Sequence, residues 1–201
     1  MLCIITILET LSVKGQIMRK ISFLSGIIFS FFCLSAHAEN FTLRSPDLGG
    51  QLSSKEMLNG FGCSGGNTSP TLTWSGAPVG TKSFAVTMYD PDASTGSGWW
   101  HWLIFDIPSD VQALNSNAGD PMSELAPVGS IQSKTDFGQG GYGGACPPPG
   151  DSAHAYIFTV YALKVDKLDL PASINPAMVG FKLSTNTLAK ASLISYLGRQ
   201  E

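Results

Sequence analysis

Residues 137–156 read FGQGGYGGACPPPGDSAHAY, and the residues after the glycines decide the fold. Gly138, Gly140 and Gly143 spell G-x-G-x-x-G, the spacing of a dinucleotide-binding loop. Such a loop needs a strand before it and a helix directly after it, so that the helix N-terminus faces a pyrophosphate. Here Gly144, Ala145, Cys146 and the prolines 147–149 come next instead. Proline lacks the N–H that a helix interior needs, so this run excludes the helix. Beyond it, residues 155–163, AYIFTVYAL, are rich in aromatic and β-branched side chains and predict a strand. The stretch reads as a glycine-rich loop feeding a β-strand.

The rest of the chain agrees. Residues 41–44 and 71–74 are short and alternating. Residues 82–89, KSFAVTMY, place Phe84, Val86 and Met88 on one face at period two. Residues 100–107, WHWLIFDI, are apolar on both faces, as a central strand requires. Long loops dense in Gly, Pro, Ser and Asn lie at 58–70, 90–98 and 137–153. The C-terminus alone carries helical signals. Residues 175–182 predict a short helix. Residues 184–197, STNTLAKASLISYL, predict a second, with Leu188, Ala191, Leu193, Ile194 and Leu197 at helical spacing and Gly198 as the stop. The expected architecture is one mainly β domain over 39–201 with a C-terminal helix.

The N-terminus is set apart from that domain. From Met18 the chain shows a basic start at Arg19 and Lys20, an apolar run to Leu34, and Ala36-His37-Ala38 as a small-x-small cleavage signal. That pattern predicts a signal peptide over 18–38, cleaved after Ala38, with 1–17 an upstream extension before the true start. The run is short for a membrane span, and Cys33 lacks the small residues expected before a lipidated cysteine, so no stable membrane anchor is expected. Export to the periplasm, or release beyond it, is the expected outcome. Removing residues 1–38 takes Lys14, Arg19, Lys20 and Glu9 and moves the formal net charge from −3 to −5. An acidic chain without a basic run is a poor fit to nucleic acid. Only Cys63 and Cys146 then remain. In an exported protein they predict one disulfide, the alternative being two free buried thiols.

Gly62-Cys63-Ser64-Gly65-Gly66 matches the G-x-S-x-G nucleophile elbow, but NTSPTLTW after it starts no helix. A hydrolase using Ser64, or the histidine and aspartate cluster, stays as the alternative function. The histidines point elsewhere. After cleavage only His101 and His154 are left, each at or beside the start of an apolar strand and preceded by a long loop. His154 and Tyr156 are two apart on a strand and share a face, roughly 7 Å from one another. Asp90 and Asp92 flank Pro91 where the 82–89 strand ends. If these strands share a sheet, two imidazoles, a phenol and one or two carboxylates converge. Such a cluster suits either a metal with open positions or a small anion held by imidazole, phenol and backbone N–H groups. The lack of zinc spacing, H-E-x-x-H or E-x-x-H favours the anion.

Two long stretches, NTSPTLTWSGAPVGTKSFAVTMYDPDASTGSGWWHW and TDFGQGGYGGACPPPGDSAHAYIFTVYAL, resemble the phosphatidylethanolamine-binding, or Raf kinase inhibitor-like, proteins, and their bacterial branch in particular. The ordered features are the Asp-Pro-Asp-Ala turn, the Trp-His pair and the Pro-Pro-x-Gly run leading to His-x-Tyr. The resemblance implies a two-sheet Greek-key β fold with a small anion pocket taking phosphate, acetate or a phosphoryl headgroup. By position it implies Asp90, His101, His154 and Tyr156 as the pocket, with Pro147 and backbone near Ala93 and Cys146 on its rim. It further implies no metal or cofactor, no catalytic residue, a regulatory or inhibitor-like role toward a kinase- or protease-type partner, and a homodimer. Two positions depart from the family pattern: Ala155 replaces the arginine of His-Arg-Tyr, and Ser94 replaces the proline of Asp-Pro-Asp-Ala-Pro.

Overall fold

The computed structural model describes residues 40–200; the upstream extension and signal peptide expected over 1–38 lie outside them. The three long apolar runs become β5 (Ser83–Asp90), β6 (Trp99–Pro108) and β9 (His154–Leu163). With β8 (Ile131–Gln132) and β10 (Thr187–Leu197) they form an antiparallel sheet in the order β10-β9-β5-β6-β8. A smaller sheet runs β1-β4-β7, from β1 (Thr42–Arg44), β4 (Leu72–Ser75) and β7 (Ala113–Leu114). β2 (Asn59–Gly60) and β3 (Cys63–Ser64) make a separate two-residue hairpin.

Period-two alternation explains the layering. Phe84, Val86 and Met88 of β5, Trp102 and Ile104 of β6, and Phe158 and Val160 of β9 share one core with Leu43, Leu72 and Trp74 of the small sheet. The Trp74 and Phe84 ring centres are 5.4 Å apart. On the other face of the large sheet, Ala85, Leu103, Phe105 and Leu163 meet Leu168, Leu170 and the buried side of helix α1 (Pro176–Asn186). β5, β6 and β9 are therefore buried on both faces, as their near-continuous apolar character demands. No helix among the described residues is long and apolar enough to cross a membrane.

The C-terminus corrects one expectation. A helix does begin where Asn175 caps it, its side chain accepting the Met178 N–H at 2.9 Å, with Pro176 in the first turn. It ends at Asn186, and the predicted helix over 184–197 is instead mostly β10. The backbone turns extended at Thr187 (φ −74°, ψ 129°). From Ala189 to Leu197 the strand pairs with β9 from Ala162 to His154. Leu188, Ile194 and Tyr196 face solvent, whereas Ala191, Leu193 and Leu197 pack on the main core. The same residues fit a helical stripe on paper. Pairing along β9 gives these backbone groups partners and buries one face, and that tertiary gain overrides local propensity. Helix α1, the one helix among the described residues, thus precedes the last strand rather than following it.

Packing, not ligand chemistry, accounts for the glycine-rich loop. A Cβ on Gly143 would collide with the Phe137 ring, and one on Gly144 with the backbone of Glu56 and Leu58. The loop lies this close because Leu58 N–H bonds Ala145 O at 3.0 Å and Ala145 N–H bonds Glu56 O at 3.3 Å. Cys63 and Cys146 are joined by a disulfide across this junction, their Cα atoms 6.0 Å apart.

Candidate functional site

Asp90 closes β5 and organises the turn after it. Its Oδ1 accepts the N–H groups of Asp92 at 2.8 Å and Ala93 at 3.1 Å, folding the Asp-Pro-Asp-Ala turn around its own carboxylate. Its Oδ2 accepts Nδ1–H of His154 at 2.8 Å. Both side chains are almost wholly buried, at 4 % and 6 % exposure. Asp92 then fixes the start of β9, its Oδ2 accepting the Ala155 N–H at 2.7 Å.

His101 enters by a different device. Met88 pairs with Trp102 and Tyr89 with Trp100, so His101 is an extra residue on β6, a β-bulge beside the site. Its Nδ1 lies 2.8 Å from Gly143 O and 3.1 Å from Gly144 O, while Gly143 N–H donates back to His101 O at 2.8 Å. Two carbonyl acceptors assign the ring proton to Nδ1, leaving Nε2 as the other polar atom. Burial holds the His101 pKa below the ordinary imidazole value, against the opposing pull of Gly143 O and then of Asp90. Burial thus favours the neutral ring in the free protein.

Tyr156 packs against both imidazoles, edge-on to His101 with ring centres 5.2 Å apart and stacked on His154 at 6.4 Å. Burial, then the charge of Asp90, push its phenol well above the usual range, so it keeps its proton. The Cys146 backbone pulls the other way, yet the geometry gives the buried hydroxyl no hydrogen-bond partner among the described residues. An orphaned buried donor next to two imidazoles is costly unless a guest meets it.

Asp90, Ala93, His101, Cys146, Pro147 and His154 line one cavity of about 300 Å³. Tyr156, predicted to belong with them, sits behind this lining rather than in it. Ser94, the other departure from the family pattern, also reaches the wall. Sequence reasoning missed Phe61, Phe137 and Pro148, which complete an apolar side together with Trp99. A bulky aromatic isolated in a loop of glycines was the available signal for both phenylalanines. Of the tryptophans, Trp99 lines the cavity, Trp100 packs on Tyr89 with ring centres 4.6 Å apart, and Trp102 is fully buried in the core.

Ser64 lies exposed on β3, paired with Asn59, and is not part of the cavity. The His154 ring nitrogens face Asp90 and, at 3.6 Å, Oδ2 of Asp151. Among the described residues no lysine or arginine lines the cavity. Among the described residues no group of three His, Cys, Asp or Glu side chains is arranged to hold a metal ion. The geometry offers a polar floor of two imidazoles, each with Nδ1 committed elsewhere, under an apolar wall.

Comparison with known proteins gives one consistent result. The family model described as phosphatidylethanolamine-binding protein matches residues 46–197. The UPF0098 protein YbcL of Escherichia coli (strain K12) is 49% identical over 168 residues, covering 83% of this chain and 92% of that protein. The UPF0098 protein YbhB of the same organism is 47% identical over 153 residues, 75% of this chain and 96% of that one. The crystal structure of E. coli YbcL, described as a new member of the mammalian PEBP family, superposes with a TM-score of 0.79 at 48% identity, covering 81% of this chain and all of that one. With the sheets, the turn at Asp90 and the paired histidines already in place, the chain belongs to the phosphatidylethanolamine-binding protein family.

Proposed function

We propose that this is an exported binding protein whose cavity captures a small anionic group, a phosphate or a phosphoryl headgroup, and that it acts by occupying partners rather than by catalysis. One observation carries the reading. The imidazoles of His101 and His154 open on the same cavity with their Nδ1 atoms held by Gly143, Gly144 and Asp90, so each can turn only Nε2 toward a guest. Once protonated, Nε2–H groups make short, charge-assisted bonds to anionic oxygens.

Export is supported by the leader pattern over 18–38 and by the Cys63–Cys146 disulfide, which suits an oxidising compartment; the periplasm is the proposed location. A kinase- or protease-type protein partner, as the family resemblance implies, and a homodimer, as related bacterial proteins suggest, belong to the same proposal. Titration calorimetry with inorganic phosphate and with phosphoethanolamine tests the pocket. His101→Ala and His154→Ala should each abolish the binding heat. Unchanged affinity in both variants would place the anion elsewhere.

A further inference from the structure

The cavity is larger than the anion its polar floor suits. Its volume of about 300 Å³ equals about ten water-sized groups at ~30 Å³ each, about twice the heavy-atom count of a bare phosphate. The surplus space is bounded by aromatic rings. Phe137 stands with its ring centre 5.3 Å from His101, 5.4 Å from Trp99 and 5.6 Å from Phe61. These rings form a continuous wall from the buried imidazole to the solvent edge.

Phe61 is the outermost ring, and its setting is costly. It sits at the tip of the β2–β3 hairpin, 79% exposed, with a backbone φ of 51°. That left-handed conformation is rare for a bulky residue. The hairpin is nevertheless fastened to the cavity edge twice. The Cys63–Cys146 disulfide holds one side. The Arg199 guanidinium spans the other, donating Nη2–H to Gly62 O at 2.8 Å and Nη1–H to Pro147 O at 3.2 Å. A strained, exposed aromatic pinned beside a cavity this roomy is placed to touch a guest that enters it.

We infer that Phe61 is a specificity-determining residue, receiving the apolar, ring-like body of a ligand whose anionic group sits at His101 and His154. This rests on the anion pocket proposed above. The preferred guest is an organic anion such as an aryl ester of phosphate, rather than the free ion. The absence of lysine and arginine from the lining points the same way. With no lysine or arginine in the lining among the described residues, and Arg199 committed to Gly62 O and Pro147 O, contact with an apolar body must supply affinity that charge alone does not.

Calorimetry with methyl phosphate and phenyl phosphate separates the two contributions, because the two probes carry the same anionic group. The wild-type protein should bind phenyl phosphate about tenfold more tightly, the scale of one good aromatic contact. Phe61→Ala should bring the two ligands within about threefold, chiefly by weakening the binding of phenyl phosphate. Phe61→Asn, which tolerates the left-handed backbone, should behave alike and guards against a local folding artefact. Equal affinity for both probes in the wild-type protein overturns the inference, as does a preference that survives both substitutions. Failure of every phosphate probe to bind instead overturns the anion pocket itself.

Discussion

Acidification should tighten anion binding at the cavity, and His101 is the reason. In the free protein burial favours the neutral imidazole, whose ring proton is committed to Gly143 O and Gly144 O. Nε2 is then a lone-pair acceptor and repels an anion. Among the described residues no lysine or arginine lines the cavity to compensate. Binding must therefore bring a proton with it. A bound anion raises the His101 pKa, so affinity climbs as pH falls from the pKa of the complex toward that of the free protein. The gain is up to about tenfold per pH unit, ~1.4 kcal/mol, and it flattens below the free-protein value, where the proton is already in place.

Sulfate is the cleaner probe, because its own charge is constant from about pH 7.5 to about pH 5. Calorimetry at each pH in two buffers of different ionisation heat yields the number of protons taken up, which should approach one inside the window. The unliganded fold should respond with the opposite sign. A histidine whose pKa is depressed in the native state stabilises fully above its unfolded value, near pH 6.5. That stability is lost as pH falls toward the lower native pKa of His101. The melting temperature without ligand should thus decline over the range in which sulfate affinity rises, and His101→Gln should remove both trends. Affinity that is flat or falls on acidification, without proton uptake, would refute the reasoning.

Other expectations rest on named contacts. Reducing the Cys63–Cys146 disulfide, 83 residues apart in sequence, should lower stability by about 4–5 kcal/mol on loop-entropy grounds; a loss under about 1 kcal/mol in denaturant titrations contradicts that. Asp151→Asn removes a half-exposed carboxylate 3.6 Å from His154 Nε2 and should raise sulfate affinity about two- to fivefold at low salt, the gain vanishing at high salt. Tighter wild-type binding would show that Asp151 recruits the ligand instead. A fluorophosphonate probe should leave Ser64 unlabelled, since it lies outside the cavity, and labelling lost in Ser64→Ala would restore a hydrolase. Leu193→Asp, facing the core, should destabilise by more than about 2 kcal/mol, whereas Ile194→Asp, facing solvent, should stay within about 0.5 kcal/mol. Comparable losses at both positions would contradict the strand.

Strands with strong alternation or dense β-branched and aromatic content were legible: β5, β6 and β9 fall within a residue or two of their expected limits. So were Asp90 at a strand end and the shared face of His154 and Tyr156, because both depend on local geometry alone. β10 was not. Its leucines and alanines satisfy a helical period as well as a strand period, and only the neighbouring β9 decides between them. The two-residue strands β2, β3, β7 and β8 have no pattern to read, since each exists only through its pairing. The depth of Tyr156 also escaped. A shared face places it beside His154, but the bulge at His101 and the ring of Phe137 set which groups reach the cavity.

The bulge matters more than the histidine it carries. On a regular β6, His101 would pair within the ladder as its neighbours Trp100 and Trp102 do. The extra residue instead brings the ring against the Gly143 and Gly144 carbonyls. Those carbonyls are within reach only because glycines let the 137–146 loop crowd against Phe137 and the backbone of Glu56 and Leu58. The glycines therefore serve the site indirectly: by close packing they fix which nitrogen of His101 keeps its proton. A Gly144→Ala substitution, remote from any guest, should loosen that hydrogen bond. It should weaken anion binding and alter its pH dependence together. A purely structural glycine would lower the melting temperature and leave the pH profile of binding unmoved, so the profile is the measurement that separates the two.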